Sequence, residues 1–206
     1  MKFTNLTVRR SAAQLRYFAI ALALTNFAPS PTMAQDTHSH VVAPEQQQAN
    51  ADQQAGADTL LKIVRDATEK YQDVSVAKAE GYALQFGCVS GEDSGAMGLH
   101  YVNGALVNSG VLDPAHPQII IYEPTPNGGH RLIGADFLVL ADAWNASHSG
   151  PPELMGQFFH LFTSPNRFGL PAFYTLHVWA WKPNPKGPFV NWHSNVSCSS
   201  FAGEKP

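Results

Sequence analysis

The stretch QIIIYEPTPNGGHRLIGADFLVL, residues 118–140, decides how this chain folds. Two apolar, β-branched runs, Gln118–Glu123 and Arg131–Leu140, flank Pro124-Thr-Pro-Asn-Gly-Gly129. Strand-forming residues on either side of a Pro/Asn/Gly turn predict a β-hairpin. Working outward, the same reading predicts strands near Tyr82–Phe86, Met97–Val102 and Ala172–Trp181, with Asn184-Pro-Lys-Gly187 as a further turn. The run LMGQFFHLF, residues 154–162, suits a short helix or a buried strand equally. Upstream, Leu60, Leu61, Val64, Ala67 and Tyr71 recur at helical spacing, with Asp58 as the N-cap. Asp73 is placed to cap a second short helix over Val74–Glu80, which Gly81 ends. Helices first and strands afterward predict an α+β domain over residues 58–206, with N-terminal helices packed on a curved, mainly antiparallel sheet.

Alternation along these strands makes a chemical prediction. Side chains two residues apart share a face. In Gln118–Glu123 the set is Ile119, Ile121 and Glu123; in Leu132–Leu140 it includes Asp136 between Gly134 and Leu138. In Thr175–Trp181 it is Thr175, His177, Trp179 and Trp181, and Met97–Val102 contributes His100. Each strand thus carries one ionisable group on an otherwise apolar face. An ionised carboxylate is costly to bury alone. Two carboxylates converging with two imidazoles are compensated together by one divalent transition metal, for which zinc, iron, manganese and copper all suit these ligands. The sequence therefore nominates His100, Glu123, Asp136 and His177 as a metal site, walled by Trp179, Trp181, Tyr101 and Tyr122. The competing reading is a metal-free pocket in which the aromatic residues bind a small ligand and the polar groups orient it. A third is an interaction module of the cell envelope with no chemistry.

The ends of the chain bear on where it works. Residues 1–16 carry Lys2, Arg9, Arg10 and Arg16 and no acid, and Tyr17–Ala28 is nearly all apolar. With small residues up to Ala34, this is the pattern of a secretory signal peptide over residues 1–34. Its apolar run is shorter than the roughly 20 residues a bilayer span needs, so membrane contact is expected during export alone. Residues 35–57, rich in Gln and Ala, are expected to form a disordered tether. The chain has 13 basic and 16 acidic residues; without the four basic residues of the leader the balance falls from −3 to −7. An acidic mature chain with no basic patch argues against nucleic acid as a partner and leaves a small molecule or metal ion. The two cysteines, Cys88 and Cys198, are expected to form one disulfide, in keeping with a periplasmic or secreted protein.

The remaining histidines of the folded part carry less signal. His116, His130 and His148 lie in turn-rich segments and His193 in Asn191-Trp-His-Ser-Asn195, and all four are expected at the surface; His160 has a smaller chance of joining the site. His38 and His40 sit on the tether. The sequence contains no G-x-S-x-G elbow, no H-E-x-x-H and no P-loop, and Glu92, Asp93 and Glu153 are expected as solvated loop acids.

Four stretches, GCVSGEDSGAMGLHYVN (87–103), IIIYEPTPNGGHRLIGADF (119–137), GLPAFYTLHVWAWKPNPKGPF (169–189) and NWHSNVSC (191–198), together resemble a family of exported bacterial proteins to which no activity is assigned. The resemblance spans most of residues 60–198. It implies export and leaves the chemistry to be argued from the residues.

Overall fold

The structure, a computed structural model, describes residues 44–203. The leader and residues 35–43 of the tether lie outside the described residues.

Helix α1 runs from Pro44 to Thr68, so the tether's second half is helical and Asp58 caps nothing. The physical reason is that a lack of large apolar residues forbids burying a core, not forming a helix. Ala, Gln and Glu are strong helix formers, and proline is well tolerated at the first helical position. The helix is anchored in its second half: Leu60 and Val64 are buried against Ala135, Phe137, Leu176 and Val178 of the sheet. A 3-10 turn over Glu69–Gln72 leads to α2, Val74–Ala79. As the sequence predicts, the Asp73 carboxylate caps α2 by accepting from the Ser75 amide at 2.8 Å. Tyr71 and Ala77 from this segment pack into a second core with Tyr82, Tyr101 and Tyr122.

The sheet has six strands: β1 Ala83–Gly91, β2 Gly95–Val102, β3 Ile119–Pro124, β4 His130–Leu140, β7 His160–Phe162 and β8 Phe173–Val178. Their order is β1-β2-β3-β4-β8-β7 and every pairing is antiparallel. Residues 154–162 resolve the ambiguity in an unanticipated way. They split into the tail of β5 (Glu153–Leu154), β6 (Gln157–Phe158) and β7, with Met155 and Gly156 at positive φ forming the tight turn between the first two. Two short helices also escaped the sequence reading, α3 (Gly104–Ser109) and α4 (Ala141–Asn145).

Curvature of the sheet positions the site. β2 and β8 are three strand spacings apart, about 14 Å in a flat sheet. Yet the Nε2 atoms of His100 on β2 and His177 on β8 are 3.5 Å apart. The sheet curls like half a barrel, and the face bearing these histidines is its inside. The opposite face of β4 and β8, carrying Ala135, Phe137, Leu176 and Val178, receives α1. Cys88 on β1 is bonded to Cys198, with S–S 2.05 Å and Cα–Cα 5.7 Å. The bond fastens the C-terminal segment to the sheet and favours an oxidising, non-cytoplasmic setting. Among the described residues no helix is long and apolar enough to cross a membrane.

Candidate metal centre

Three of the four nominated residues meet. His100, Asp136 and His177 are all buried, and each offers a ligand atom within 4.8 Å of the others. Register explains why. Asp136 stands directly opposite His177 across β4 and β8, and opposite Ile119 across β3 and β4. His100 stands opposite Ile121, two residues along β3. Directly opposed residues share a face, so the three side chains project into the curled interior together.

Hydrogen bonds orient two of the three. His100 donates from Nδ1 to the carbonyl of Gly98 at 3.2 Å. That bond fixes the tautomer and leaves the Nε2 lone pair facing inward, the arrangement usual for metal-binding histidines. Gly98 is held at φ +90, and a Cβ there would meet the carbonyl oxygen of Tyr122 at 2.5 Å, so glycine is required where this carbonyl turns back to the imidazole. Thr175 donates its hydroxyl to Asp136 at 2.5 Å, orienting the carboxylate. The Nδ1 of His177 is buried without a hydrogen bond of normal geometry, with the Asn191 side chain close enough to favour its protonated form weakly against burial. This Nδ1 lies 3.7 Å from Asp136, too far for a hydrogen bond, and because burial keeps His177 neutral the contact is not an ion pair between charged groups.

Electrostatics agree. Burial pushes the pKa of His100 down to about 4, with the neighbouring His177 adding to the effect and Asp136 partly opposing it. Burial likewise pushes His177 down to about 3. Both imidazoles are therefore neutral and able to coordinate at neutral pH. Burial pushes Asp136 up to about 6, against the opposing pull of His100 and the Thr175 hydrogen bond. A carboxylate so desolvated gains more than a solvated one from a nearby cation. The 3.5 Å between the two Nε2 atoms is long for a hydrogen bond. Two nitrogens each about 2.0–2.1 Å from one zinc at a tetrahedral angle stand about 3.4 Å apart. The cluster could hold a metal with little rearrangement.

Glu123 does not join it. It sits two residues beyond Ile121 on β3, and the β3–β4 register shifts between Ile121 and Tyr122, placing Glu123 opposite Arg131. Its carboxylate accepts from Arg131, from Lys182 at 2.8 Å and from the Ser197 amide at 3.2 Å. Burial alone would raise its pKa, but the Lys182 and Arg131 hydrogen bonds outweigh it and hold the group below the ordinary carboxylate value. The charge that pattern reasoning assigned to a metal is neutralised by two cations.

The aromatic wall also differs from expectation. Trp179 does lie beside His177, with ring centroids 5.6 Å apart. Tyr101 and Tyr122 instead pack on each other at 5.2 Å, and the Tyr122 hydroxyl bonds to the Tyr71 carbonyl. Trp181 donates to Thr68 of α1. The cavity over the three ligands, about 30 Å³, is walled chiefly by Phe86, Phe162, Phe168 and Phe173. For the last three the sequence signal was an excess of phenylalanine in 158–173, which no periodicity could aim, and Phe86 carried none. His193 is a further correction. Expected at the surface, it is fully buried, accepting from the Asn195 amide at 3.1 Å and pairing with Ala96 through an isolated bridge. His160 is exposed on the edge strand and His116 pairs with Asp113 in its loop. His148 is exposed and stacked on Trp144, while His130 is half-buried against the Tyr101 hydroxyl. Glu92, Asp93 and Glu153 are exposed.

No protein-family model, curated protein or solved structure matches this chain, so its function is argued from the centre itself.

Proposed function

We propose that this is an exported protein, of the bacterial family its sequence resembles, that binds one divalent transition metal through His100, Asp136 and His177 and uses it in chemistry on a small molecule. The observation that carries the reading is the convergence of two neutral imidazoles and one carboxylate from three strands within 4.8 Å, in a buried site. Two histidines and one carboxylate leave coordination positions open, as catalytic and oxygen-activating centres require. The disulfide and the leader-like N-terminus support a periplasmic or secreted setting. The size of the cavity speaks against the metal-free alternative: drug-sized ligands occupy roughly 300–1,000 Å³, and this cavity holds about 30 Å³.

The test is elemental analysis of the mature protein purified without chelator, followed by titration of the stripped protein with zinc, ferrous, manganous and cupric ions. One metal per chain, lost in Asp136→Asn, is expected. A wild-type protein that neither carries nor takes up a stoichiometric metal overturns the reading.

A further inference from the structure

The same centre limits what can reach the metal. From the shape and lining of its cavity we infer that the metal takes an exogenous ligand of diatomic size with an outer atom that needs no hydrogen bond, the class of dioxygen and nitric oxide. This rests on the metal reading above and adds to it the identity of the ligand class.

Size is the first argument. The cavity that reaches His100, Asp136 and His177 measures about 30 Å³. One water-sized occupant needs at least about 10–15 Å³ on this scale, so one small molecule fits beside the metal and a ring does not. Lining is the second. Apart from the three ligands, Thr175 supplies the cavity's one polar side chain, and its hydroxyl hydrogen is already given to Asp136. The rest is Phe86, Phe162, Phe168 and Phe173 with aliphatic and Met97 side chains. A ligand bound to the metal would direct its outer atom into hydrocarbon. Burying a hydrogen-bonding group there without a partner costs several kcal/mol, which disfavours carboxylates, amides and phosphate esters. A diatomic molecule loses almost nothing.

The rings form a connected cage. Phe162 stacks on Phe173 with centroids 5.1 Å apart, and Phe168 sits edge-on to Phe86 at 5.4 Å and to Phe162 and Phe173 at 6.2 Å. Phe86, Phe162 and Phe168 are half-buried while Phe173 is buried, so the cage reaches solvent through its outer rings. That gives a small apolar molecule a path in between hydrocarbon rings, past no polar side chain but Thr175.

The experiment uses the mature, disulfide-bonded protein loaded anaerobically with ferrous ion. Metal content is measured first, then the ligands are offered separately: nitric oxide, and imidazole as a bulkier ligand of good intrinsic affinity. Electron paramagnetic resonance and visible spectroscopy read the outcome. The expected result is full conversion to a ferrous nitrosyl with nitric oxide and no spectral change with excess imidazole. Phe168→Ala, which opens the cage without touching a ligand, should gain imidazole binding; Phe86→Ala serves if that variant fails to fold. A metal-loaded wild-type protein that ignores nitric oxide, or that binds imidazole as readily, overturns the inference and leaves the metal centre standing. Failure to load any metal overturns both.

Discussion

Replacing Asp136 by Asn should have opposite effects on the protein with and without metal. In the stripped protein the carboxylate is fully buried, and burial pushes its pKa to about 6 from the ordinary aspartate value of 3.8. The sign follows from linkage. A folded-state pKa above the unfolded one means the native state binds the proton more tightly, so this group's contribution is present below pH ~4 and is lost as pH rises through about 6. Two units at about 1.4 kcal/mol each come to roughly 3 kcal/mol of destabilisation above pH ~7. Asparagine is nearly isosteric, still accepts the Thr175 hydrogen bond and never ionises. The stripped variant should therefore exceed the stripped wild type in stability by a few kcal/mol at pH ~8, and the gap should close toward pH ~4. With metal the order reverses. At a free metal concentration about a thousandfold above Kd the wild type gains about 4.1 kcal/mol, which exceeds its deficit, and a variant that has lost the charged ligand gains little. Urea unfolding at several pH values, with chelator and with metal, measures all of this. Equal stabilities of the two chelated proteins at pH ~8, or an undiminished metal effect in the variant, would refute the reasoning.

Three further outcomes follow from the same structure. His100→Ala should abolish stoichiometric metal binding and the metal-dependent rise in Tm, while His148→Ala, whose ring is exposed on Trp144, should leave both unchanged; elemental analysis and calorimetry decide. Removing the disulfide with Cys88→Ser and Cys198→Ser should lower stability by about 4–5 kcal/mol, since the bond closes a loop across 110 residues; denaturant titration of the two forms checks it. Gly134→Ala should destabilise the β4–β8 pairing severely, because the added methyl would meet the Val178 carbonyl at 2.5 Å, and a fall in Tm with loss of metal affinity is expected.

Much of this was legible from alternation. Asp136 and His177 each interrupt an apolar face, and the pairing of β4 with β8 places them opposite one another. Glu123 carries the same signal and ends elsewhere, because alternation fixes a face and says nothing of position along the strand or of a register shift at Ile121. Its partners Arg131 and Lys182 are eight and 59 residues away, and no local pattern links the second to it. His193 looked like a surface residue because Asn, Ser and Trp surround it; its burial comes from the C-terminal segment folding back along Ala96. The phenylalanine cage was unreadable for a related reason. Its rings come from β1, β7, β8 and the loop before β8, and their convergence depends on sheet curvature, a property of no single segment. The helical stretch from Pro44 was missed by equating low hydrophobicity with disorder.

The disulfide has a topological consequence for the centre. His100, Asp136 and His177 all lie between Cys88 and Cys198, so every ligand belongs to one covalent ring. The exposed turn over residues 146–151 lies within that ring, after His100 and Asp136 and before His177. A protease that cuts there opens the ring without releasing either piece: the half with His100 and Asp136 stays joined to the half with His177. Strands β4 and β8 remain paired and the ligands cannot diffuse apart. A nicked molecule would thus keep His100, Asp136 and His177 together, and separating the halves would take a reductant as well as a blade.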